Sequence, residues 1–352
     1  MALRVQGIFP LTLPLSPGVP GAREIRVPFF IFYLSFIICP SVLCRILELP
    51  ESVAQSALAA HAEYPLLVPA SFVAKMEKGN SNDPLLLQIL PQSKEFEKID
   101  GFQDDPLQER SDCPLLQKYA GRALLIATDQ CAIHCRFCFR RKTKTQLAGK
   151  NCVSFLKNRS QTPLAKEVIL SGGDPLCLSD DELAELLQTL RSRPEVRRIR
   201  IHTRFPVVSP KRLTPRLLSE LRSDAKTVYS MVLHLNHPRE IDADFVDAMT
   251  ETVNRGIPVF VQSVLLRNVN DDFETLFELY EKSISLRMTP YYLHQLDRVS
   301  GAAHFEVGTE IGLELHRRLR QSLPGYAVPR YVREVPGEKN KVDVQSENVR
   351  LL

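Results

Sequence analysis

The segment Ala123-Leu-Leu-Ile-Ala-Thr-Asp-Gln-Cys131-Ala-Ile-His-Cys135-Arg-Phe-Cys138 joins a short apolar run to three closely spaced cysteines. The run over residues 123–128 has the length and composition of a buried β-strand. Three thiolates on one loop can bind three irons of a cubic iron–sulfur cluster and leave the fourth iron without a protein ligand. Such an iron can chelate a small molecule and pass it an electron. The segment therefore predicts a strand followed by a redox-active metal site.

A structural zinc site is the main alternative for these cysteines. Zinc usually takes four ligands in paired spacings, and here the fourth would have to be His134 or Cys152, neither of which belongs to a second paired motif. A disulfide framework is not indicated by the remaining cysteines, which are Cys39, Cys44, Cys113, Cys152 and Cys177. The spacing favours a cluster and leaves zinc open.

Length and composition are those of a globular enzyme. The chain has 352 residues, of which 44% are hydrophobic and 24% are charged, so one large α/β domain with a smaller appendage is expected. The formal net charge is +4, and lysines and arginines are spread along the chain rather than gathered in one stripe. The sequence therefore predicts no direct nucleic-acid partner.

Residues 1–42 form an apolar N-terminal extension that departs from this composition. Its run Phe29-Phe-Ile-Phe-Tyr-Leu-Ser-Phe-Ile-Ile-Cys39 resembles a signal-peptide core or a membrane anchor. Pro28 and Pro40 keep the run shorter than the ~20 residues that a spanning helix needs. An oxygen-sensitive cluster also favours a reducing compartment. We therefore expect a cytoplasmic protein without membrane association, whose extension is non-native or mis-started.

From residue 122 onward, short apolar runs alternate with amphipathic segments. Six runs are predicted strands: residues 123–128, 167–171, 198–202, 227–234, 258–265 and 289–294. Strands that alternate with helices indicate a parallel sheet, here a partial (β/α)6 barrel. The predicted division is a helical N-terminal region over residues 43–118, the barrel over 119–325, and a C-terminal strand and tail over 326–352.

Several helix boundaries are also marked in the sequence. Ser179 and Glu182 form a predicted capping box. Thr214-Pro215 places proline at a helix start, and Gly256 is a predicted C-terminal cap for a helix over residues 243–255.

Candidate functional residues follow several predicted strands. The cysteine loop follows the first strand, Gly172-Gly173-Asp174 the second, His234 the fourth and Asp297 the sixth. Chemistry in β/α barrels gathers at the carboxyl ends of the strands, so the sequence predicts one active site at that end. A Gly-Gly-Asp turn is usually an ordinary turn, but two glycines also let the backbone approach a ligand closely.

The cysteine and glycine motifs together resemble the signature of the radical S-adenosylmethionine (radical SAM) enzymes. Those enzymes carry CxxxCxxC with an aromatic residue before the last cysteine, the position of Phe137 here. The resemblance implies a [4Fe–4S] cluster bound by Cys131, Cys135 and Cys138. It also implies a turn that binds the amino group of SAM, formed by Gly172, Gly173 and Asp174.

A more specific resemblance covers residues 44–352. It is carried by the motifs Cys138-Phe-Arg140-Arg141, Ser171-Gly-Gly-Asp-Pro175, His234-Leu-Asn-His-Pro238, Gln262-Ser-Val-Leu-Leu266, Asn268-Val-Asn-Asp271, Pro290-Tyr-Tyr292, and Ser322 with Gly325-Tyr-Ala-Val-Pro329. These motifs resemble those of the lysine 2,3-aminomutases, which combine the cluster and SAM with pyridoxal phosphate (PLP). Residues 1–42 match nothing in that family, and residues 142–166 follow it only loosely.

Within this family the chain most resembles the short branch that acts with elongation factor P. The marks of that branch are Met76-Glu-Lys-Gly-Asn80, Asp83-Pro-Leu-Leu86, Gly101-Phe102, Asp105-Pro-Leu107 and Ala302-Ala-His-Phe305. The longer, catabolic aminomutases carry a C-terminal extension with zinc-binding cysteines, whereas no cysteine follows Cys177 here.

The resemblance places a PLP-binding lysine near the C-terminus. Lys341 of Pro336-Gly-Glu-Lys-Asn-Lys341 takes this position, with Lys339 as its near competitor. Tyr119 and Arg122 match positions that hold the PLP phosphate, which suits a hydroxyl donor and a guanidinium fork. Lys118 stands where a further basic contact is expected.

Five further positions match residues that bind SAM or substrate in the family. His234 and Gln262 match SAM contacts. Arg140 matches the residue that pairs with the lysine carboxylate, and Asp297 and Glu334 match the acidic residues that hold the distal ammonium. Glu334 replaces the aspartate of the longer enzymes. Without the resemblance, these residues would be interpreted as solvated charges or ordinary polar residues at strand ends.

The implied activity is an isomerisation. In the family, a 5′-deoxyadenosyl radical removes hydrogen from the β-carbon of PLP-bound L-lysine, and the amino group migrates from C2 to C3. The expected product is (R)-β-lysine for attachment to elongation factor P, with flavodoxin or ferredoxin as the low-potential electron donor. The alternatives are a catabolic aminomutase acting on free lysine, a non-catalytic iron–sulfur or zinc protein, and a radical SAM enzyme that modifies RNA.

Overall fold

The computed structural model describes residues 12–13, 25–26, 35–109, 113–119, 121–142, 152–159 and 164–345. Within these residues the main feature is a nine-stranded sheet. Its strands are β1 (Leu115–Tyr119), β2 (Arg122–Thr128), β3 (Glu167–Gly172), β4 (Arg198–Thr203), β5 (Val228–His234), β6 (Val259–Val264), β7 (Thr289–His294), β8 (Arg330–Arg333) and β9 (Val342–Asp343).

The strands lie side by side in chain order. Strands β2 to β8 are parallel, and the edge strands β1 and β9 are antiparallel to their neighbours. One pairing row runs through Leu125, Leu170, Ile201, Met231 and Val259, all of which are buried. Parallel strands of this kind need helices to cover them. This register also brings the carboxyl ends of the strands to one edge, where a shared site can form.

Helices precede the sheet in the chain and connect its strands. They are α1 (Pro40–Ile46), α2 (Glu51–Glu63), α3 (Ala70–Val73), α4 (Pro84–Leu87), α5 (Cys152–Asn158), α6 (Asp180–Arg191), α7 (Phe205–Val208), α8 (Pro215–Glu220), α9 (Ala243–Asn254), α10 (Phe273–Ser285) and α11 (Thr309–Ser322). Short 3₁₀ turns occur at Ser93–Phe96, Pro175–Cys177, Pro210–Arg212, Pro238–Glu240, Ala303–Phe305 and Gly325–Ala327.

The predicted helix boundaries have their expected physical form. Ser179 and Glu182 make the reciprocal capping box of α6. The Thr214 hydroxyl accepts from the Leu217 backbone N–H at the start of α8. Gly256 follows α9 with a φ of +76°, a conformation that glycine adopts at little cost.

The predicted α/β fold class is confirmed, with two additions. The parallel part has seven strands because β8 joins it beyond the six predicted ones. The edge strand β1 crosses the predicted division at residue 118, and the domain limits themselves stay predictions.

Most of residues 1–42 lie outside the described residues; those described include the strand pair Thr12–Leu13 with Ile25–Arg26, and Phe36–Ile37 paired with Val68–Pro69. No helix among the described residues is both long and apolar enough to cross a membrane.

Candidate active site

A cavity of about 290 Å³ is lined by residues of strands β1 to β7 and of the loops at the carboxyl ends of the parallel strands. Apart from Lys118 and the alternative lysine Lys339, its lining includes the residues that the sequence predicts for the site: Cys131, Cys135, Cys138, Tyr119, Arg122, Arg140, Gly172, Gly173, Asp174, His234, Gln262, Asp297, Glu334 and Lys341. Lys339 is exposed in the C-terminal tail, and the Lys118 side chain lies outside the described part of the chain. Residues far apart in the sequence are thus brought around one space.

The cysteine loop follows β2 and turns back toward the cavity. The backbone N–H of Cys138 donates to the Cys135 oxygen, and that of Arg141 donates to the Cys138 oxygen. Cys131, Cys135 and Cys138 are each partly exposed and line the cavity. Three thiols presented by one loop are a donor set that fits an iron–sulfur cluster with one open iron.

The N-terminal region holds the cysteine loop from outside the barrel. Glu95, in the turn Ser93–Phe96, accepts from Arg136 at 2.6 and 2.8 Å and also pairs with Arg141. Arg136 is fully buried, and its guanidinium also donates to the Tyr64 oxygen at 2.6 Å. Burial would raise the pKa of Glu95, but the two arginines lower it overall. Arg136 and Arg141 lie on either side of Cys138 in the sequence. Their bonds to Glu95 hold the cysteine loop to the N-terminal region.

The glycine turn packs directly against the start of the cysteine loop. The Gly173 N–H donates to the Thr128 oxygen at 2.6 Å. A Cβ at Gly173 would overlap the Gln130 backbone oxygen and lie 2.7 Å from the carbonyl carbon of Asp129. Gly172 has a φ of +109°, where side chains are strained. The two glycines are therefore required for this close contact between the two loops.

Asp174 supports this turn from behind. Its buried carboxylate accepts from the backbone N–H of Leu176, Arg204 and Phe205 and from the Thr203 hydroxyl. Burial raises the pKa of Asp174, while these hydrogen bonds oppose the rise. Asp174 lines the cavity, but its carboxylate already has protein donors. Its contribution to a bound cofactor remains a prediction.

Buried histidines present unpaired nitrogens near the cavity. The Nε2 atoms of His202 and His234 are buried, and each has no hydrogen-bond partner among the described residues. Burial, with the charge of Arg204, lowers the pKa of His234 to about 3, so its ring is neutral. Buried polar atoms normally have partners. These orphaned atoms fit a cavity built to receive a polar ligand such as SAM.

Lys341 lies directly before the edge strand β9 and lines the cavity. Its ammonium pairs with Glu334, and the same carboxylate accepts a hydrogen bond from the Tyr119 hydroxyl. The Arg122 guanidinium lies 4.3 Å from the centre of the Tyr119 ring. Burial, with Glu334, raises the pKa of Tyr119 well above its usual value, so the phenol keeps its proton. Glu334 follows β8 and Tyr119 ends β1, so this contact bridges strands near the two opposite edges of the sheet.

Arg140 already has an internal partner. Its Nε and Nη2 atoms both lie 2.8 Å from Glu109 Oε2, and Nη1 donates to the Ser171 hydroxyl at 3.3 Å. Both charged groups are largely buried and line the cavity. The Nε–Nη2 edge of the guanidinium, which suits a bidentate carboxylate, is therefore occupied by Glu109.

Sequence reasoning missed several residues that line the cavity. They are Glu109, Arg200, His202, Arg204 and His294. His202 and Arg204 lie at the end of β4, a position that the carboxyl-end rule could have indicated. Among the described residues, no three His, Cys, Asp or Glu side chains are arranged to hold a single metal ion.

The superfamily to which this fold and site belong is shown by comparison with known proteins. A model of the radical SAM superfamily matches residues 125–280, from β2 through α10. This part of the chain is therefore a radical SAM domain, and this superfamily implies a [4Fe–4S] cluster and SAM. The three thiols, the close glycine turn and the unpaired histidine nitrogens fit both groups.

Curated relatives define the family more closely. The chain is 40% identical over 315 residues to L-lysine 2,3-aminomutase of Haemophilus influenzae, covering 86% of this chain and 91% of that one. It is 41% identical over 308 residues to the Escherichia coli protein of the same name, covering 86% and 90%. The Acetoanaerobium sticklandii enzyme of that name is 36% identical, with 79% and 68% covered. The chain belongs to the L-lysine 2,3-aminomutase family, which confirms the predicted family and its enzyme class, the isomerases.

Proposed function

We propose that this enzyme converts L-lysine to (R)-β-lysine by a radical amino-group migration that uses a [4Fe–4S] cluster, SAM and PLP. One observation carries the proposal most directly. Lys341, the predicted PLP lysine, lines the same cavity as Cys131, Cys135 and Cys138, although about two hundred residues separate them. A radical formed near the cysteine loop would therefore arise beside a substrate held at Lys341.

The chain's own residues divide the work of binding these groups. Cys131, Cys135 and Cys138 would hold the cluster, while Gly172, Gly173, His234 and Gln262 would contact SAM. Lys341 would hold PLP, with Tyr119 and Arg122 at its phosphate. When bound, the cluster and SAM supply a carbon radical, and PLP supplies the conjugated system that lets the amino group move.

Substrate binding requires opposite charges at the two ends of lysine. Arg140 would take the carboxylate, and Asp297 and Glu334 the distal ammonium. Apolar side chains that line the cavity, including Ile133, Ile169 and Val264, would limit the access of water to a reactive radical. These assignments agree with the charges that the cavity presents.

The test is product analysis after anaerobic reconstitution with iron, sulfide, PLP, SAM and L-lysine. We expect β-lysine by chiral chromatography with the unmodified enzyme. Lys341→Ala should abolish product and PLP absorbance while leaving the iron content unchanged. The matched control is Lys339→Ala, two residues away and exposed, which should retain both. Recovery of only α-lysine from enzyme shown to contain all three cofactors would refute the proposal.

We further propose that the product serves elongation factor P, that flavodoxin or ferredoxin supplies the electron, and that the enzyme works in the cytoplasm. Support comes from the branch-specific motifs such as Ala302-Ala-His-Phe305. The test is mass spectrometry of elongation factor P from a host lacking its own aminomutase, with and without this gene. A β-lysine modification that depends on the gene is expected. Its absence, together with lysine-dependent growth, would favour the catabolic role.

A further inference from the structure

Arg204, just after β4, contacts the middle cysteine of the cluster motif. Its Nη1 atom donates to Cys135 Sγ at 2.8 Å. The residue is 6% exposed, and its guanidinium carbon lies 5.6 Å from the centre of the Phe72 ring and 5.7 Å from that of Phe137. A cation that lies near two aromatic rings and is removed from water interacts strongly with a neighbouring thiolate.

The other side of the guanidinium is fixed by buried acceptors. Nη2 donates to Gln88 Oε1 and to Glu240 Oε1, each at 2.6 Å. Glu240 is fully buried, and its second oxygen accepts from the backbone N–H of Asn236 and of His237. Arg204 therefore lies between Cys135 and an anchored carboxylate. Its orientation directs one N–H toward the sulfur and another toward Glu240.

We propose that Arg204 is a positioning residue that holds Cys135 and raises the reduction potential of the cluster. The inference rests on the proposed cluster. Reduction adds one negative charge to the iron–sulfur unit, and a hydrogen bond or a cation at a ligand sulfur stabilises that charge. Glu240 opposes this effect, but it contacts the guanidinium through Nη2, whereas Nη1 contacts the sulfur directly. The net effect of Arg204 is to ease electron transfer from a cellular donor.

The backbone of Arg204 extends this arrangement to the SAM-binding turn. Its N–H donates to Asp174 Oδ2 at 2.7 Å, next to Gly173. One residue thus contacts both the cysteine loop and the glycine turn. The position of the proposed cluster relative to the SAM-binding turn therefore depends on Arg204, just after β4.

The experiment is a redox titration of the anaerobically reconstituted full chain, followed by electron paramagnetic resonance, without PLP or lysine. Arg204→Gln should move the midpoint potential to more negative values and leave three cysteine ligands in place. Because this change leaves Glu240 buried without its cation, the double variant Arg204→Gln with Glu240→Gln is measured as well, and it should shift in the same direction by a smaller amount.

Arg212→Gln is the matched control. Arg212 is also buried and follows β4, but it bonds to Asp180 and to the Leu176 and Leu178 oxygens. The Arg212→Gln change should leave the midpoint potential of the cluster unchanged. Potentials of the Arg204 variants equal to that of the parent would overturn the proposal. Iron loss from both Arg204 variants, with normal loading of Arg212→Gln, would overturn the tuning role and leave only a role in assembly. A parent enzyme without a cluster signal would instead refute the proposed function.

Discussion

The ammonium of Lys341 forms an ion pair with the carboxylate of Glu334 inside the cavity. Glu334 also accepts from the Tyr119 hydroxyl, so one carboxylate contacts two of the three residues assigned to PLP. It is also one of the two acids assigned to the distal ammonium of lysine. The lysine that would hold the cofactor and the acid that would hold the substrate are therefore in direct contact.

Glu334→Gln should weaken lysine binding because it removes the negative charge and keeps the shape of the side chain. Charge-assisted hydrogen bonds are worth about 1.5–3 kcal/mol, so we expect KM for lysine to rise about 10- to 100-fold. Steady-state assays over a range of lysine concentrations measure this change. The control is Glu338→Gln, an exposed glutamate four residues along the chain. An unchanged KM in the Glu334 variant would remove this residue from the substrate site.

Glu109→Gln should have the opposite effect on substrate binding. Glu109 occupies the guanidinium edge of Arg140 at 2.8 Å, and a neutral side chain would compete less with the carboxylate of lysine. Taking about 1.5 kcal/mol, the lower end for a hydrogen bond to a charged group, we expect KM to fall about tenfold with kcat little changed. Asp104→Asn, an exposed change on the same segment, serves as the control. A higher KM would show that Glu109 positions Arg140 instead of competing for it.

Gly173→Ala should destabilise the protein because the new methyl group meets backbone rather than a movable side chain. Overpacking of this kind costs about 1–3 kcal/mol. Urea unfolding gives the free energy of unfolding for the parent and the variant. Gly325→Ala is the comparison, since a Cβ there would meet nothing within 4 Å. Equal losses in the two variants would contradict the close packing of the glycine turn on the cysteine loop.

Acid should destabilise the protein partly through His61 on α2. Its Nδ1 accepts from the Leu66 N–H at 3.0 Å, and burial, with the charge of Arg136, lowers its pKa to about 4. A folded pKa below the unfolded value of 6.5 gives stability that is present above pH 6.5 and is lost as the pH falls toward 4.

The His61→Gln variant isolates this contribution. Because the ring is partly exposed, we expect the variant to lose about 1 kcal/mol less stability than the parent between about pH 7 and about pH 5. Urea unfolding at several pH values gives both slopes. Identical slopes would show that His61 does not titrate as a buried, neutral group.

Much of the fold could be predicted because its signals are local. The strands β2 to β7 begin and end within one or two residues of the apolar runs that predict them. Strand β1 escaped prediction because Gln117 and Lys118 interrupt its apolar pattern, and its pairing with β2 depends on the turn at Gly121. Strand β8 is short, and only its contact with β7 identifies it as part of the parallel sheet.

The candidate site was predictable where a motif or a family position marks it, as for Cys131 and Lys341. Arg204 and Glu109 carry no such mark. The role of Arg204 depends on Cys135, Gln88 and Glu240, which only the tertiary fold brings together. A pattern within one segment cannot reveal a contact of that kind, because the same residue in another fold would be an ordinary charge.

The most direct test of the central claim follows the amino group itself. The reconstituted enzyme is given L-lysine labelled with ¹⁵N at its α-amino group, and the product is analysed by nuclear magnetic resonance for carbon–nitrogen coupling. We predict that the label is found on C3 of β-lysine, because Lys341 and the three cysteines proposed to hold the cluster line one cavity. A label that stays on C2, or that is released to the solvent, would contradict this account.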